Sequence, residues 1–393
     1  MANNSAEMRA AVAKAERLIP ILLERAQKAE ALRRIPDETI ADLQAAGLFR
    51  ILQPRRFGGA ELPYESIVRV TSTLARACAS TAWVFSNLAN HAFMLALWQP
   101  QAQGEVWDVS PQALIGSALM FPPGHATKAA GGYRLSGRWK FSSGIDACTW
   151  TMLGGIGSAD GELPDYRVFL LPSSDYRIID TWHAAGLRGS GSKDVEVSDV
   201  FVPEHRTLAV GQMKGCVAPG AAVNPSPLYR LPVFDMFPYV VAATPFGIAL
   251  GAVDAFAEDS RHRVTSYSTT LLADYATTQA RLGEAAAAVA AAELLLLSNC
   301  ERAMAAAEQA IVPTTAQKIR LRRDGAYAAR LCTRAVDLLF EAGGGEFLYD
   351  HKLMQRAFRD VHAAQSHHAL AWDVTATIAG KFMLGIAPDI PTL

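Results

Sequence analysis

Four histidines and a short run of serines are the residues of this chain best suited to chemistry. Three of the histidines, His362, His367 and His368, lie in the stretch Arg359-Asp360-Val361-His362-Ala363-Ala364-Gln365-Ser366-His367-His368 near the C-terminus. Imidazole gains or loses a proton near pH 7, so such residues suit general acid–base work. They do not read as a metal site, and no metal is expected. On a helix, at about 100° per residue, the three point in different directions, and no two are spaced i, i+4. The sequence HExxH is also absent. The fourth histidine, His91, sits in Trp83-Val84-Phe85-Ser86-Asn87-Leu88-Ala89-Asn90-His91. Asn87, His91 and Leu95 share a helix face at that spacing. From the residues alone His91 has two readings: a core histidine bonded to a backbone carbonyl, or a buried group that meets a ligand.

The serines lie in an alternating stretch. Tyr133 to Phe141 alternates as a strand does, and Ser142-Ser143-Gly144 follows it. A glycine there lets backbone come close to a planar ligand. Ser142 is therefore a candidate to offer its hydroxyl to such a ligand, with Ser143 the adjacent candidate if the register slips by one. Trp139 and Trp150 are placed to wall a ring or to pack a core. Ser117, in Ile115-Gly116-Ser117-Ala118, reads by itself as a strand or turn hydroxyl. Arg261 and Arg263 read, from the residues alone, as part of a solvated helix face. Gly343-Gly344-Gly345 reads as a helix C-cap and loop.

The elements that must position these residues fall into three parts. Residues 1–110 read as helices. Pro36-Asp37-Glu38 suits a helix start, with acids at the positive end of the dipole, and Gly47 suits its end. Tyr64 to Trp98 reads as two apolar helices broken near Ala79-Ser80. Residues 111–230 carry the strand signals, at 133–141, 167–171, 176–179 and 194–202. Residues 231–393 read as long Ala-rich helices over 242–262, 271–304, 314–342 and 366–383, which predicts a four-helix bundle. The class is α+β, mainly α.

Composition limits the function. The chain has 393 residues, half of them apolar and 19% charged, enough to bury a sizeable core. Its net charge is −1 with no basic stripe, so nucleic-acid binding is not expected. The N-terminus has no apolar signal region, and the longest apolar stretch, 285–297, carries Glu293 and is short for a membrane span of about 20 residues. No membrane association is expected. Five scattered cysteines without a CxxC fit free thiols in a reducing cytoplasm. Gly186-Leu187-Arg188-Gly189-Ser190-Gly191 has the wrong order for a dinucleotide fingerprint, and a strand pattern follows it instead of a helix. The chain shows no NAD(P)H-binding domain of its own.

Several segments in this order carry a resemblance. They are Pro36-Asp37-Glu38 to Gly47-Leu48-Phe49, Pro54-Arg55-Arg56-Phe57-Gly58-Gly59, Phe141-Ser142-Ser143-Gly144, Gly186 to Ser192 with Val195-Glu196-Val197 and Val202-Pro203, and Arg359-Asp360. Together, over roughly 31–384, the sequence resembles the acyl-CoA dehydrogenase family. In that family a catalytic glutamate follows the Arg-Asp pair, and counting forward from Arg359-Asp360 puts its position on His368. The scaffold is kept and the dehydrogenation base replaced, which is similar to the two-component flavin-dependent monooxygenases of this fold.

That resemblance implies an acyl-CoA dehydrogenase-like fold: an N-terminal helical domain, a central β-barrel or sandwich domain and a C-terminal four-helix bundle. It implies an oxygenase component that takes reduced FMN, with FAD also possible, from a separate NAD(P)H flavin reductase. With O2 the flavin would form a C4a-hydroperoxide that hydroxylates a small phenol or indole. His91, His368 and Ser142 become the catalytic candidates, with Ser142 bonded to flavin N5. Ser117, His367 and Trp83 become substrate contacts, and Ser143, Trp139 and Arg263 further cofactor contacts. The resemblance also implies a homotetramer. The competing readings are sulfur or nitrogen oxygenation on the same fold, an acyl-CoA dehydrogenase with its base elsewhere, for example near Glu284, and a silent flavin-binding oligomer.

Overall fold

A computed structural model describes residues 2–158, 164–265 and 269–393. Five helices come first: α1 (Ala2–Leu32), α2 (Asp37–Ala45), α3 (Glu65–Ala75), α4 (Ala79–Leu95) and α5 (Pro100–Trp107). Pro36 precedes α2, Asp37 and Glu38 fill its first turn, and Gly47 beyond its end takes φ 73°. All 17 residues of α4 are buried. A helix that is apolar all round has no solvent face and must be enclosed, and α4 packs against α3, α6 and the sheet.

Eight strands follow: β1 (Ile115–Ala118), β2 (Gly124–Ala129), β3 (Gly132–Ser142), β4 (Trp150–Ser158), β5 (Asp165–Pro172), β6 (Arg177–Ile179), β7 (Lys193–Pro203) and β8 (Thr207–Ala209). They form one mixed sheet in the order β6-β7-β3-β2-β4-β5-β8, with β1 parallel to β4. The β3–β7 register shifts between Trp139 and Ser142, where Phe141 takes φ 66°. Strict alternation would put Trp139 and Ser142 on opposite faces. The bulge turns both inward and leaves Phe141 59% exposed.

The helices then resume as α6 (Val233–His262), α7 (Ala276–Glu308), α8 (Thr315–Gly343), α9 (Leu353–Gln365) and α10 (Trp372–Met383). Among the described residues α6 is the one helix long and apolar enough to cross a membrane, and most of its apolar window is buried inside the protein. Helix α8 starts at a capping box between Thr314 and Gln317. The helix expected over 366–383 starts late, at Trp372, and α9 occupies a stretch where no long helix is expected. α9 stops at Gln365, and a 3-10 turn over His368–Leu370 precedes α10. The cause is local: the Ser366 hydroxyl donates to His362 O, and the Ala369 N–H donates to the His367 ring. Both satisfy backbone groups outside the helical ladder.

Candidate active site

One face of α4 forms the spine of the site. Trp83, Asn87 and His91 follow at intervals of four residues, and the Asn87 amide donates to Trp83 O at 2.7 Å. The His91 side chain is 1% exposed and both ring nitrogens are engaged. Nδ1 lies 2.5 Å from Ile115 O, and Nε2 lies 2.7 Å from the Ser117 hydroxyl. A carbonyl only accepts, so Nδ1 carries the proton, Nε2 accepts, and Ser117 donates. Burial pulls the His91 pKa down to about 4, against the opposing effect of the Ile115 carbonyl. The imidazole is therefore neutral at pH 7. The near-neutral pKa expected for a proton-exchanging histidine does not hold for His91 as it is buried here. Ser117, read as a lone strand hydroxyl, is its partner.

Ser142 is fully buried on the inner side of β3, and its hydroxyl makes no hydrogen bond within the chain. It lies over Gly116 of β1. A Cβ on Gly116 would stand 3.4 Å from Ser142 Oγ and only 2.6 Å from Ile145 Cδ1, so no side chain fits between. Leaving a buried hydroxyl unpaired costs about 1–3 kcal/mol. An unmatched polar atom of this kind fits a ligand with a polar edge, as a flavin has.

Ser143 is differently placed. Its hydroxyl accepts the Trp83 indole N–H at 3.0 Å and pairs with Ser192 at 2.8 Å. Ser192 in turn pairs with Ser190 at 2.7 Å. Gly144 was expected to let backbone approach a ligand. Instead it approaches α4: with φ 70°, a Cβ there would meet Val84 at 2.6 Å.

His367 leaves the end of α9 toward α4. Its ring stands edge-on to Trp83 and is tilted against Phe237 of α6, each with centroids 5.6 Å away. Burial between these rings, and then the neighbouring His368, lower its pKa below the histidine range. His368, onto which the count from Arg359-Asp360 falls, is exposed at the start of the 3-10 turn. His362 pairs with Asp337 at 2.9 Å on an outer face.

Other expected residues lie elsewhere. Trp139 is fully buried within the sheet and donates to Gly154 O at 2.7 Å, an arrangement that core packing accounts for. Arg263 caps α6 and is held by Asp259 at 2.8 Å, by Gly343 O at 2.9 Å and by the Phe347 ring. It meets the glycine stretch 343–345 that was read separately, and its guanidinium is engaged within the chain. Glu284, the alternative base, is 53% exposed and paired with Arg334. Its carboxylate belongs to the outer surface of α7. Phe237, Ser190 and Ser192 were not picked out from the sequence. Phe237 is one aromatic residue among many on an apolar helix, and the two serines lay inside a segment read only for its glycines.

Comparison with known proteins adds to this geometry. Residues 5–107 match the acyl-CoA dehydrogenase N-terminal domain and residues 239–372 its C-terminal domain. The chain is 37% identical over 376 residues to the flavin-dependent monooxygenase, oxygenase subunit HsaA, of Mycobacterium tuberculosis, covering 95% of each chain. It is 34% identical over 382 residues to the p-hydroxyphenylacetate 3-hydroxylase, oxygenase component, of Acinetobacter baumannii, covering 97% of this chain and 90% of that one. Its fold superposes on XiaF from Streptomyces sp. in complex with FADH2 and glycerol with a TM-score of 0.93. The identity there is 27%, over 100% and 99% of the two chains.

Proposed function

The chain belongs to the acyl-CoA dehydrogenase family, in its branch of flavin-dependent monooxygenases, and from that premise we propose how its own residues serve the reaction. It is an oxygenase component that uses reduced flavin delivered by a separate reductase and hydroxylates an aromatic small molecule. FMN is the expected flavin, and FAD is equally compatible with the relatives. The chemistry that reduced flavin supplies with O2 is transfer of one oxygen atom to an electron-rich ring carbon.

The observation that carries the reading is the pair formed by Ser142 and the His91–Ser117 couple. Ser142 offers an unpartnered buried hydroxyl to the flavin's polar edge, and it sits on Gly116, the neighbour of Ser117. His91 Nε2 and the Ser117 hydroxyl offer one acceptor and one adaptable donor to the hydroxyl of a phenol. A neutral His91 draws a phenolic proton toward Nε2. That pushes electron density into the ring without storing a full proton at rest. The buried apolar body of α4 keeps water from the reacting atoms. His367, with its edge to Trp83, is the better-supported histidine on the substrate side, and His368 is its exposed neighbour. Arg263 beside Gly343 is the candidate contact for flavin phosphate, provided one of its present partners yields.

A homotetramer and a cytoplasmic location complete the reading. Exposed apolar side chains support self-association, notably Leu294 at 71% and Met383 and Leu384 at 80%. Five free cysteines support a reducing compartment. The dehydrogenase alternative finds less support, because Glu284 is a surface ion-pair residue.

The test is reductase dependence. The purified chain with NADH, flavin and a phenol should consume no NADH, and adding an unrelated flavin reductase should start oxygen uptake and product formation. Steady NADH oxidation by the chain alone would contradict the proposal.

A further inference from the structure

Trp83 has one polar atom, the indole N–H, and its partner is a serine, not His367. It donates to Ser143 at 3.0 Å, inside a buried set of hydroxyls that continues through Ser192 to Ser190. Trp83, Ser143, Ser192 and Ser190 are 5%, 8%, 4% and 0% exposed. Indole nitrogen is a donor only, so once this bond is made the ring has no polar group left to offer. The segment carrying the serines is itself held from three sides. Asp360 of α9 accepts the Leu187 N–H at 2.6 Å, Ser80 of α4 accepts the Gly189 N–H at 3.1 Å, and Ser190 O accepts the Gly144 N–H at 2.9 Å. Ser143 is thus a fixed anchor, not a hydroxyl free to follow a ligand.

Phe237 beside His367 is hydrocarbon throughout, and His367 uses Nδ1 to accept from Ala369, which leaves its proton on Nε2. At the opposite end of the same α4 face, eight residues and about 12 Å along the helix, stand the polar His91 and Ser117. The face is polar at one end and aromatic at the other.

We propose that Ser143 is a positioning residue: by taking up the Trp83 indole N–H, it makes Trp83 close its side of the substrate site with hydrocarbon alone. That side therefore selects an apolar substituent on the ring whose hydroxyl is held at His91 and Ser117. The proposal rests on the reading above that Trp83 borders the substrate, and it assigns Ser143 to the substrate side instead of the flavin.

The experiment titrates the full flavin-free chain with phenol, 4-ethylphenol and 4-butylphenol by calorimetry. Each added methylene buried against the aromatic end should tighten binding about 4-fold. In Ser143→Ala the freed indole N–H needs water or a new partner, and the gain per methylene should fall below about 2-fold. Ser143→Thr keeps the hydroxyl and should restore the wild-type slope. In chain labelled with 15N-tryptophan, the Trp83 indole N–H resonance, assigned through Trp83→Phe, should move in Ser143→Ala and return in Ser143→Thr. An unmoved resonance, or the same slope in Ser143→Ala as in wild type, overturns the proposal. Tight phenol binding with no gain along the series overturns the apolar wall and spares the oxygenase reading. No binding of any phenol overturns the substrate reading beneath it, while the resonance still reports on the anchor.

Discussion

The hydroxyl of Ser117 on β1 donates to Nε2 of His91 on α4 at 2.7 Å, while His91 Nδ1 is fixed on the carbonyl of Ile115. One histidine thereby joins the helical and strand-rich parts of the chain with a defined tautomer. Ser117→Ala leaves Nε2 buried and unpaired, at a cost of about 1–3 kcal/mol in stability. Its pH behaviour follows from the lowered pKa. The folded value of about 4 lies below the ordinary 6.5, so the unfolded chain takes up the proton first as pH falls. The stability due to neutral His91 is complete above pH 6.5 and is lost as pH drops toward 4, by about 3 kcal/mol. Denaturant unfolding of wild type and His91→Asn at pH 7.5 and 4.5 checks this. A gap between the two proteins that does not change with pH would count against it.

Ser142 and Ser143 separate by what their hydroxyls already do. Ser142→Ala removes an unpaired buried hydroxyl, so the flavin-free chain should be as stable as wild type or more so. Its affinity for reduced flavin should fall by about 10-fold, the equivalent of one lost buried hydrogen bond, with more hydrogen peroxide released per O2 consumed. Fluorescence titration and peroxide assay measure both. Unchanged flavin affinity would remove Ser142 from the cofactor site.

His367 meets Trp83 and Phe237 while His368 is exposed, so the two should differ on substitution. His367→Ala opens a gap beside Trp83 and Phe237 and should weaken substrate binding and lower the product formed per turnover. His368→Ala should stay close to wild type. Rapid-quench measurement of product in a single turnover decides. The reverse order would return the role to His368.

Much of this was legible in the sequence. Helices α2, α3 and α4 follow from Pro36, the first-turn acids, Gly47 and unbroken apolar runs, because periodicity and caps are local signals. The two features that were not legible are single-residue events. The bulge between Trp139 and Ser142 inverts the side-chain faces that alternation predicts, and so puts Trp139 in the core beside an inward Ser142. The 3-10 turn between α9 and α10 delays the expected helix to Trp372 and separates the directions of His367 and His368. Neither leaves a mark in composition. The partnership of Ser117 with His91 and of Ser143 with Trp83 joins residues 26 and 60 positions apart, which spacing alone does not report.

Asp360 gives a pH effect of opposite sign. It is fully buried, accepts the Leu187 N–H and holds that residue at φ 48°. Burial raises its pKa from 3.8 to about 6, against the pull of the Leu187 N–H. The folded value lies above the unfolded one, so its contribution is complete below pH 3.8 and lost as pH rises through 6. The change is about 3 kcal/mol. Asp360→Asn keeps an acceptor oxygen and carries no charge. It should remove that fall and equal or exceed wild type in stability at pH 8. An Asn variant much less stable than wild type at pH 8 would show that the ionised form is the favoured one.

The most direct measurement is the fate of oxygen. Chemically reduced FMN mixed anaerobically with the purified chain and an alkylphenol, then exposed to 18O2, should yield product carrying one 18O atom on the ring, with no reductase or NAD(P)H present. Product without label, or oxidation that proceeds by loss of hydrogen with all 18O2 recovered as peroxide, would contradict an oxygenase and favour a dehydrogenase or an uncoupled flavin-binding protein.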